Sequence, residues 1–217
     1  MDDSAWKQAL ATIQKVKEKP AARSSWIPLF QFGRKLAWLE PVNKRDLDHP
    51  ESLALLNDWR RRLPASGLAD CPVTAEGTQT WLARHVLEAA DQLLFWAKAL
   101  DGTPLGMVGL GRFDFAGKQV EINHLVRGVP EVLPGLMYAT VQTLLGWAFQ
   151  TFPVTLVTAQ VPPDNARASR LYERCGFGPD TRQAAAGKRG ASARGQEVTL
   201  SLSRSEWMAA HRLDRVA

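Results

Sequence analysis

The stretch VPPDNARASRLYERCGF, residues 161–177, is the most legible part of the chain. It opens as the end of a β-rich run, Val154 to Val161, which reads as a strand. Two prolines stop that strand. Asp164 or Asn165 then offers a side-chain oxygen to cap a helix, and Gly176 is suited to end it in the left-handed conformation. Between them Ala168, Leu171, Tyr172 and Cys175 share one helical face. Strand, capped helix and glycine stop thus succeed one another within about two dozen residues.

Reading outward towards the N-terminus, Met137, Val141, Leu144, Leu145 and Ala148 mark one face of a helix over 135–150. Before it lies a strand, Gln119 to Val126. Phe95 to Leu100 and Leu105 to Phe115 read as a hairpin turning at Asp101-Gly102. Thr74 is the N-cap expected for a helix reaching about Ala90, with Trp81, Leu82, Val86 and Leu87 inward. Leu53, Leu56 and Trp59 predict a helix within Asp48–Arg62, and Lys35 to Pro41 holds a short strand. Residues 4–18 form a short amphipathic helix carrying Trp6, Leu10, Ile13 and Val16, and Pro20 to Pro28 reads as a linker. Towards the C-terminus, residues 182–195 are rich in Ala, Gly, Arg and Lys without periodicity and read as a mobile loop, poised to close over an acceptor. Val198, Leu200 and Leu202 alternate in a last strand. The expected fold class is α+β, mixed α/β, with one sheet and helices on its faces. The expected division is a helical extension and linker over 1–33 and one domain over 34–217.

Composition narrows the function classes. With 217 residues, 45% hydrophobic and 23% charged, the chain is of ordinary globular make-up and long enough to bury a core. The net charge of +5 favours anionic partners such as phosphates. Basic residues cluster at Arg60-Arg61-Arg62 and over Arg182–Arg194, but no basic helix is interleaved with aromatics, so nucleic acid is not the expected partner. Cys71 and Cys175 stand far apart, and His49, His85, His124 and His211 have no metal-ligand spacing, so no metal is expected. No run of about 20 apolar residues is present and the N-terminus is acidic, so a cytoplasmic protein without a membrane partner is expected.

The stretch 161–177 resembles the signature of the GNAT acetyltransferases: an Asn, small residues, Leu-Tyr, then Gly-Phe. VEINHLVRG, residues 120–128, resembles that family's fourth strand, and PGLMYATVQTLLGWAF, residues 134–149, its cofactor-binding helix. The order of elements from Arg34 to Ser203 agrees as well. The resemblance implies a mostly antiparallel sheet splayed between the fourth and fifth strands. It also implies transfer of acetyl from acetyl-CoA to a primary amine of a small molecule. The loop RGVPEVLPG, residues 127–135, departs from the family's Gln/Arg-x-x-Gly-x-Gly/Ala. Only Gly135 sits where a glycine is expected, and Pro130 and Pro134 carry no N–H. Gly135, Leu136 and Met137 can still donate to a pyrophosphate at the helix start, and Arg127 can add charge. A further likeness, to GNAT domains of bacterial amino-sugar modification, makes a nucleotide-linked amino sugar the first acceptor to consider.

The resemblance also assigns roles. Glu121 is the candidate base, its alternative being a strand residue paired with a Lys or Arg. His124 is the rival base, three residues on and hence on the opposite face of a regular strand unless a bulge intervenes. Backbone N–H near Leu125 would face the developing oxyanion, and main chain at Leu125 and Val126 would pair with the pantetheine arm. Tyr172 is the candidate acid for the leaving thiolate, its alternative being core filling. Asn165 would contact the CoA arm while capping its helix. Trp59 and Trp81 are candidates for the acceptor pocket. Arg60, Arg61 and Arg62 read as a solvated helix end that can clamp an anionic substrate. Cys175 reads as a buried thiol. Two other functions fit the same residues: acetylation of a protein N-terminus or lysine, and a non-catalytic acyl-CoA-binding module, which the atypical loop favours. The assembly expected is a monomer or a homodimer.

Overall fold

The computed structural model describes residues 3–18, 26–63, 71–182 and 197–213. In chain order these form α1 (Asp3–Glu18), β1 (Ile27–Gln31), β2 (Arg34–Pro41), a 3-10 turn (Lys44–Leu47) and α2 (Pro50–Arg60). Next come α3 (Ala75–Trp81), which runs on as a π-helical turn (Leu82–Leu87), then β3 (Gln92–Lys98), β4 (Pro104–Asp114) and β5 (Gln119–Arg127). The chain continues through α4 (Leu136–Thr151), β6 (Leu156–Val161), α5 (Ala166–Arg174), β7 (Gly178–Pro179), β8 (Val198–Ser203) and α6 (Arg204–Leu213). The loop expected over 182–195 lies, after Arg182, outside the described residues.

The strands form one sheet in the order β1-β2-β3-β4-β5-β6-β8-β7. Every described pair is antiparallel except β5 with β6. This is the mixed α/β, mostly antiparallel sheet that the sequence predicts. Its two faces are read off β3, buried on both sides, where alternate side chains enter different cores. Leu93, Phe95 and Ala97 join α1 and α4 on one face, with Val141, Leu144, Leu145 and Ala148 fully buried. Leu94 and Trp96 join α2 and α3 on the other, against Leu56, Trp59, Trp81 and Val86. Each leucine or valine among these, removed from water, contributes about 1.5–3 kcal/mol.

Several elements differ from expectation, the two-residue strand β7 among them. Part of the segment read as a linker, Ile27 and Pro28, begins edge strand β1, where a proline costs no ladder bond that a neighbour needs. The turn Phe32-Gly33, left-handed at both residues, joins β1 to β2. On α1 the buried stripe is Ala9, Ile13 and Lys17, while Leu10 is exposed. Lys17 Nζ donates to the carbonyls of Leu87 and Ala89, at the end of the α3 extension. Helix α6 was not foreseen. It is pinned by Trp207, whose indole N–H donates to Gln142 Oε1 at 3.2 Å.

Candidate active site

Strands β5 and β6 pair only over Gln119↔Leu156 to Ile122↔Ala159. Beyond Ile122 they part. On its other side β5 pairs Gly109 with Asn123 and Met107 with Val126, so Val108 stands opposite both His124 and Leu125. That is a β-bulge, and His124 takes the left-handed φ of 48°. Such a backbone costs a non-glycine residue on the order of 1 kcal/mol. The bulge breaks the period-two alternation, and Glu121 and His124 consequently line one cavity.

That cavity also takes in Tyr172, Asn165, Arg112, Glu197 and Leu63. Glu121 is buried, and its Oε2 lies 2.7 Å from an Arg112 guanidinium nitrogen. This is the pairing set out above as the alternative to a catalytic role. It also holds an anion in place at the mouth of the splay. The Tyr172 side chain is buried against Phe177, ring centroids 5.1 Å apart. Burial, then Cys175 and Glu121 nearby, hold its phenol well above the ordinary tyrosine range, so the hydroxyl keeps its proton at neutral pH. Burial pushes the Cys175 thiol up to about 12, which leaves it unreactive, as the sequence suggests.

A larger cleft, with a volume near 490 Å3, adjoins this one at Leu125, Asn165 and Ala168. It is of the size that takes a small ligand. Its walls carry Arg62, Arg127, Arg167, Arg170 and Arg174. Three of these project from α5 at helical spacing, and the Arg174 guanidinium sits 5.4 Å from the Tyr138 ring centroid. Asn165 caps α5 by accepting from the Ala168 N–H at 3.0 Å. The bend 127–135 has left-handed residues at Glu131, Leu133 and Gly135. Left-handed residues alternating with ordinary ones gather backbone N–H groups on one side. Arg127 ties the carbonyls of Val129 and Val132 at 3.3 and 3.0 Å, and Arg62 those of Arg127 and Gly128 at 3.1 and 2.8 Å. Guanidinium groups thus satisfy the carbonyl side of a loop that lacks the expected glycines. Gly135 caps α4 at a φ of 83°, the left-handed region that favours glycine.

The remaining expected residues divide. Leu125 lines both cavities, and Val126, Arg127 and Gly135 line the larger. Leu136 is fully buried and its N–H donates to the Leu133 carbonyl at 3.1 Å, so Met137, not Leu136, reaches the cleft wall. Trp59 and Trp81 line neither cavity. They are buried in the core between α2, α3 and the sheet. Arg60 is no solvated helix end. It is fully buried, donates to Thr78 Oγ1 at 2.8 Å and the Cys71 carbonyl at 2.9 Å, and lies over the Trp81 ring at 4.8 Å. Arg60 continues the Leu53–Leu56 stripe at i+4, and that spacing carried the signal. Arg167, Arg170 and Arg174 were likewise passed over, although their i, i+3, i+7 spacing places them on one face. Among the described residues no group of three His, Cys, Asp or Glu side chains is placed to hold a metal ion. No described helix is long and apolar enough to cross a membrane.

The solved structures of similar fold include a spermidine N-acetyltransferase from Vibrio cholerae in complex with CoA and spermine. It is 16% identical, with a TM-score of 0.59, covering 78% of this chain and 96% of that one. A variant form of the spermidine/spermine N-acetyltransferase SpeG of the same organism is 15% identical (TM-score 0.61; 80% and 96% covered). FdhC, described as a nucleotide-linked sugar GNAT, is 11% identical (TM-score 0.61; 83% and 93% covered). Compared with curated proteins, the sequence has no match. Residues 37–178, the span that holds the bulged strand, the arginine-lined cleft and Tyr172, match the model of the acetyltransferase (GNAT) domain, and the chain belongs to that family.

Proposed function

We propose that the protein is an N-acetyltransferase that moves acetyl from acetyl-CoA to a primary amine of a small molecule. The observation that carries this reading is the splay of β5 from β6, with an arginine-lined cleft on one side and a cavity holding Glu121, His124 and Tyr172 on the other. The residues fit the donor. Arg167, Arg170 and Arg174 suit its phosphates, and the start of α4 at Gly135 suits the pyrophosphate. The edge of β5 at Leu125 and Val126, which faces away from β4, suits an amide-bearing arm laid alongside as an added strand.

Acetyl-CoA supplies a thioester carbon that a neutral amine attacks, with a C–N bond formed and the C–S bond broken. Glu121, kept in place by Arg112, attracts the ammonium form of the acceptor and receives its proton through water. Tyr172 holds its proton until the sulfur departs and gives it there. The N–H of Leu125 faces the charge that develops on the carbonyl oxygen. Asn165 stands at the junction of both cavities and fixes the arm between them.

The acceptors to try first are a nucleotide-linked amino sugar and a polyamine, the chemistries named for the structures of similar fold. Calorimetry with acetyl-CoA, followed by thiol release with a panel of both amine classes, tests the reading. Binding with release on a small amine is expected. Release only with peptide amines would favour a protein acetyltransferase. Binding without any release would favour the non-catalytic module, and no binding at millimolar CoA would remove the reading altogether.

A further inference from the structure

Gly109 and Gly111 lie on one face of β4, and the missing side chains leave a slot. A Cβ at Gly109 would overlap Asn123 Oδ1, and one at Gly111 would overlap Gln92 Oε1. The slot is filled from both neighbouring strands. Gln92 of β3 donates from Nε2 to Asn123 Oδ1 at 3.1 Å, and Asn123 of β5 donates from Nδ2 to Gln92 Oε1 at 3.0 Å. Gln92 Nε2 also donates to the Leu93 carbonyl at 2.8 Å. A carbonyl can only accept, so the orientation of the Gln92 amide is settled, and with it that of Asn123. Asn123 Oδ1 is therefore an acceptor. His124 Nδ1 lies 2.8 Å from it and must carry the hydrogen. The lone pair of the neutral ring is then on Nε2. The ring is steadied by Trp81, edge-on at 5.3 Å between centroids, and the bulge turns His124 onto the wall shared with Glu121 and Tyr172.

We infer that Gln92 and Asn123 are positioning residues that hold His124 in its Nδ1–H tautomer, and that His124 Nε2 takes the proton of the attacking amine during acetyl transfer. The inference rests on the acetyltransferase reading and sharpens it. The proton released as the C–N bond forms passes to Nε2 first and through water to Glu121 only afterwards. Tyr172 supplies a separate proton to the departing sulfur. From Glu121 the proton passes to solvent, which leaves His124 neutral again, and Tyr172 regains a proton from solvent, so atoms and charge balance.

Protein labelled with 15N-histidine, read by NMR at a pH where the ring is neutral, tests the relay without substrate. The His124 signals are assigned by their loss in His124→Gln. The wild type is expected to show a protonated Nδ1 and a bare Nε2. Gln92→Leu and Asn123→Leu are expected to give a mixture of tautomers. Asn123→Asp, which keeps an acceptor oxygen in place, is expected to restore the wild-type signature. Thiol release tests the chemistry. His124→Gln should lower kcat about 10²-fold, the low end for general acid–base assistance. Gln92→Leu should lower it about tenfold, with the KM for acetyl-CoA unchanged, and Asn123→Asp should stay near wild type. A wild-type ring protonated on Nε2 overturns the relay, even where a leucine variant fails to fold. Full turnover in folded His124→Gln overturns the catalytic role. A wild type that acetylates no amine overturns the function reading itself, and the ring signals still decide the relay independently.

Discussion

The two cavities meet at Leu125, Asn165 and Ala168, and their walls differ in kind. The larger is walled by arginines on the exposed face of α5 and on the bend before α4. The smaller holds a carboxylate paired with Arg112, an imidazole and a buried phenol. Exposed guanidinium groups attract phosphates strongly but are solvated before and after. On the smaller wall Glu121 and Tyr172 are buried, Glu121 is held by Arg112, and burial keeps the Tyr172 proton in place. Affinity and turnover are therefore expected to reside in different side chains, and substitutions should separate them.

The sharpest separation is expected at Tyr172. Tyr172→Phe should lower kcat about 10²-fold in thiol release while calorimetry gives near wild-type acetyl-CoA affinity. A changed melting temperature with full activity would instead make this tyrosine core filling. Glu121→Gln should come next, at about tenfold in kcat. Part of that loss should return at high pH, where more of the amine is already neutral. An effect on acetyl-CoA affinity equal to that on kcat would blur the division between the cavities. From the other wall, Arg167→Gln combined with Arg174→Gln should weaken acetyl-CoA binding about tenfold at low salt and less as salt screens the charges. Turnover at saturating donor should hold.

The smallest effect is expected far from both cavities, at Lys17. Burial lowers its pKa to about 8, offset in part by Asp91. The folded state thus releases this proton before the unfolded chain does, between about pH 8 and the ordinary lysine range near 10.5. In that window the unfolded chain holds more protons, so stability rises with pH. Urea unfolding at pH 7.5 and 10 should show the rise in the wild type and a flatter profile in Lys17→Met.

Much of the fold was legible because its elements carry local signals. Thr74 caps α3 by accepting from the Gly77 N–H, Asn165 caps α5, and Gly102 makes its turn at a φ of 98°. Pairing of distant strands left no such signal. The insertion of β8 between β6 and β7 is a matter of tertiary packing that alternation in 198–202 does not encode. At the site, the residues of one strand could be named, but their facing could not. Glu121 and His124 share a wall only because β5 bulges at His124, where two of its residues face Val108 alone. Arg60 shows the converse error. Charge suggested solvent, whereas the helical phase of Leu53 and Leu56 places it in the core against Trp81.

The short parallel seam between β5 and β6 has a consequence for how the molecule comes apart. The strands from β1 to β5 form one ladder, and β6, β8 and β7 form another. Four residue pairs, from Gln119↔Leu156 to Ile122↔Ala159, join the two ladders. A ladder fastened so briefly opens as a cooperative unit at lower free energy than the fully buried strands β3 and β4. Amide hydrogens of β6 and β8 should therefore exchange together, ahead of those in β3. A ligand laid across the splay would act as a suture along that seam, and slower exchange on both sides of it would mark its seating without any measurement of catalysis.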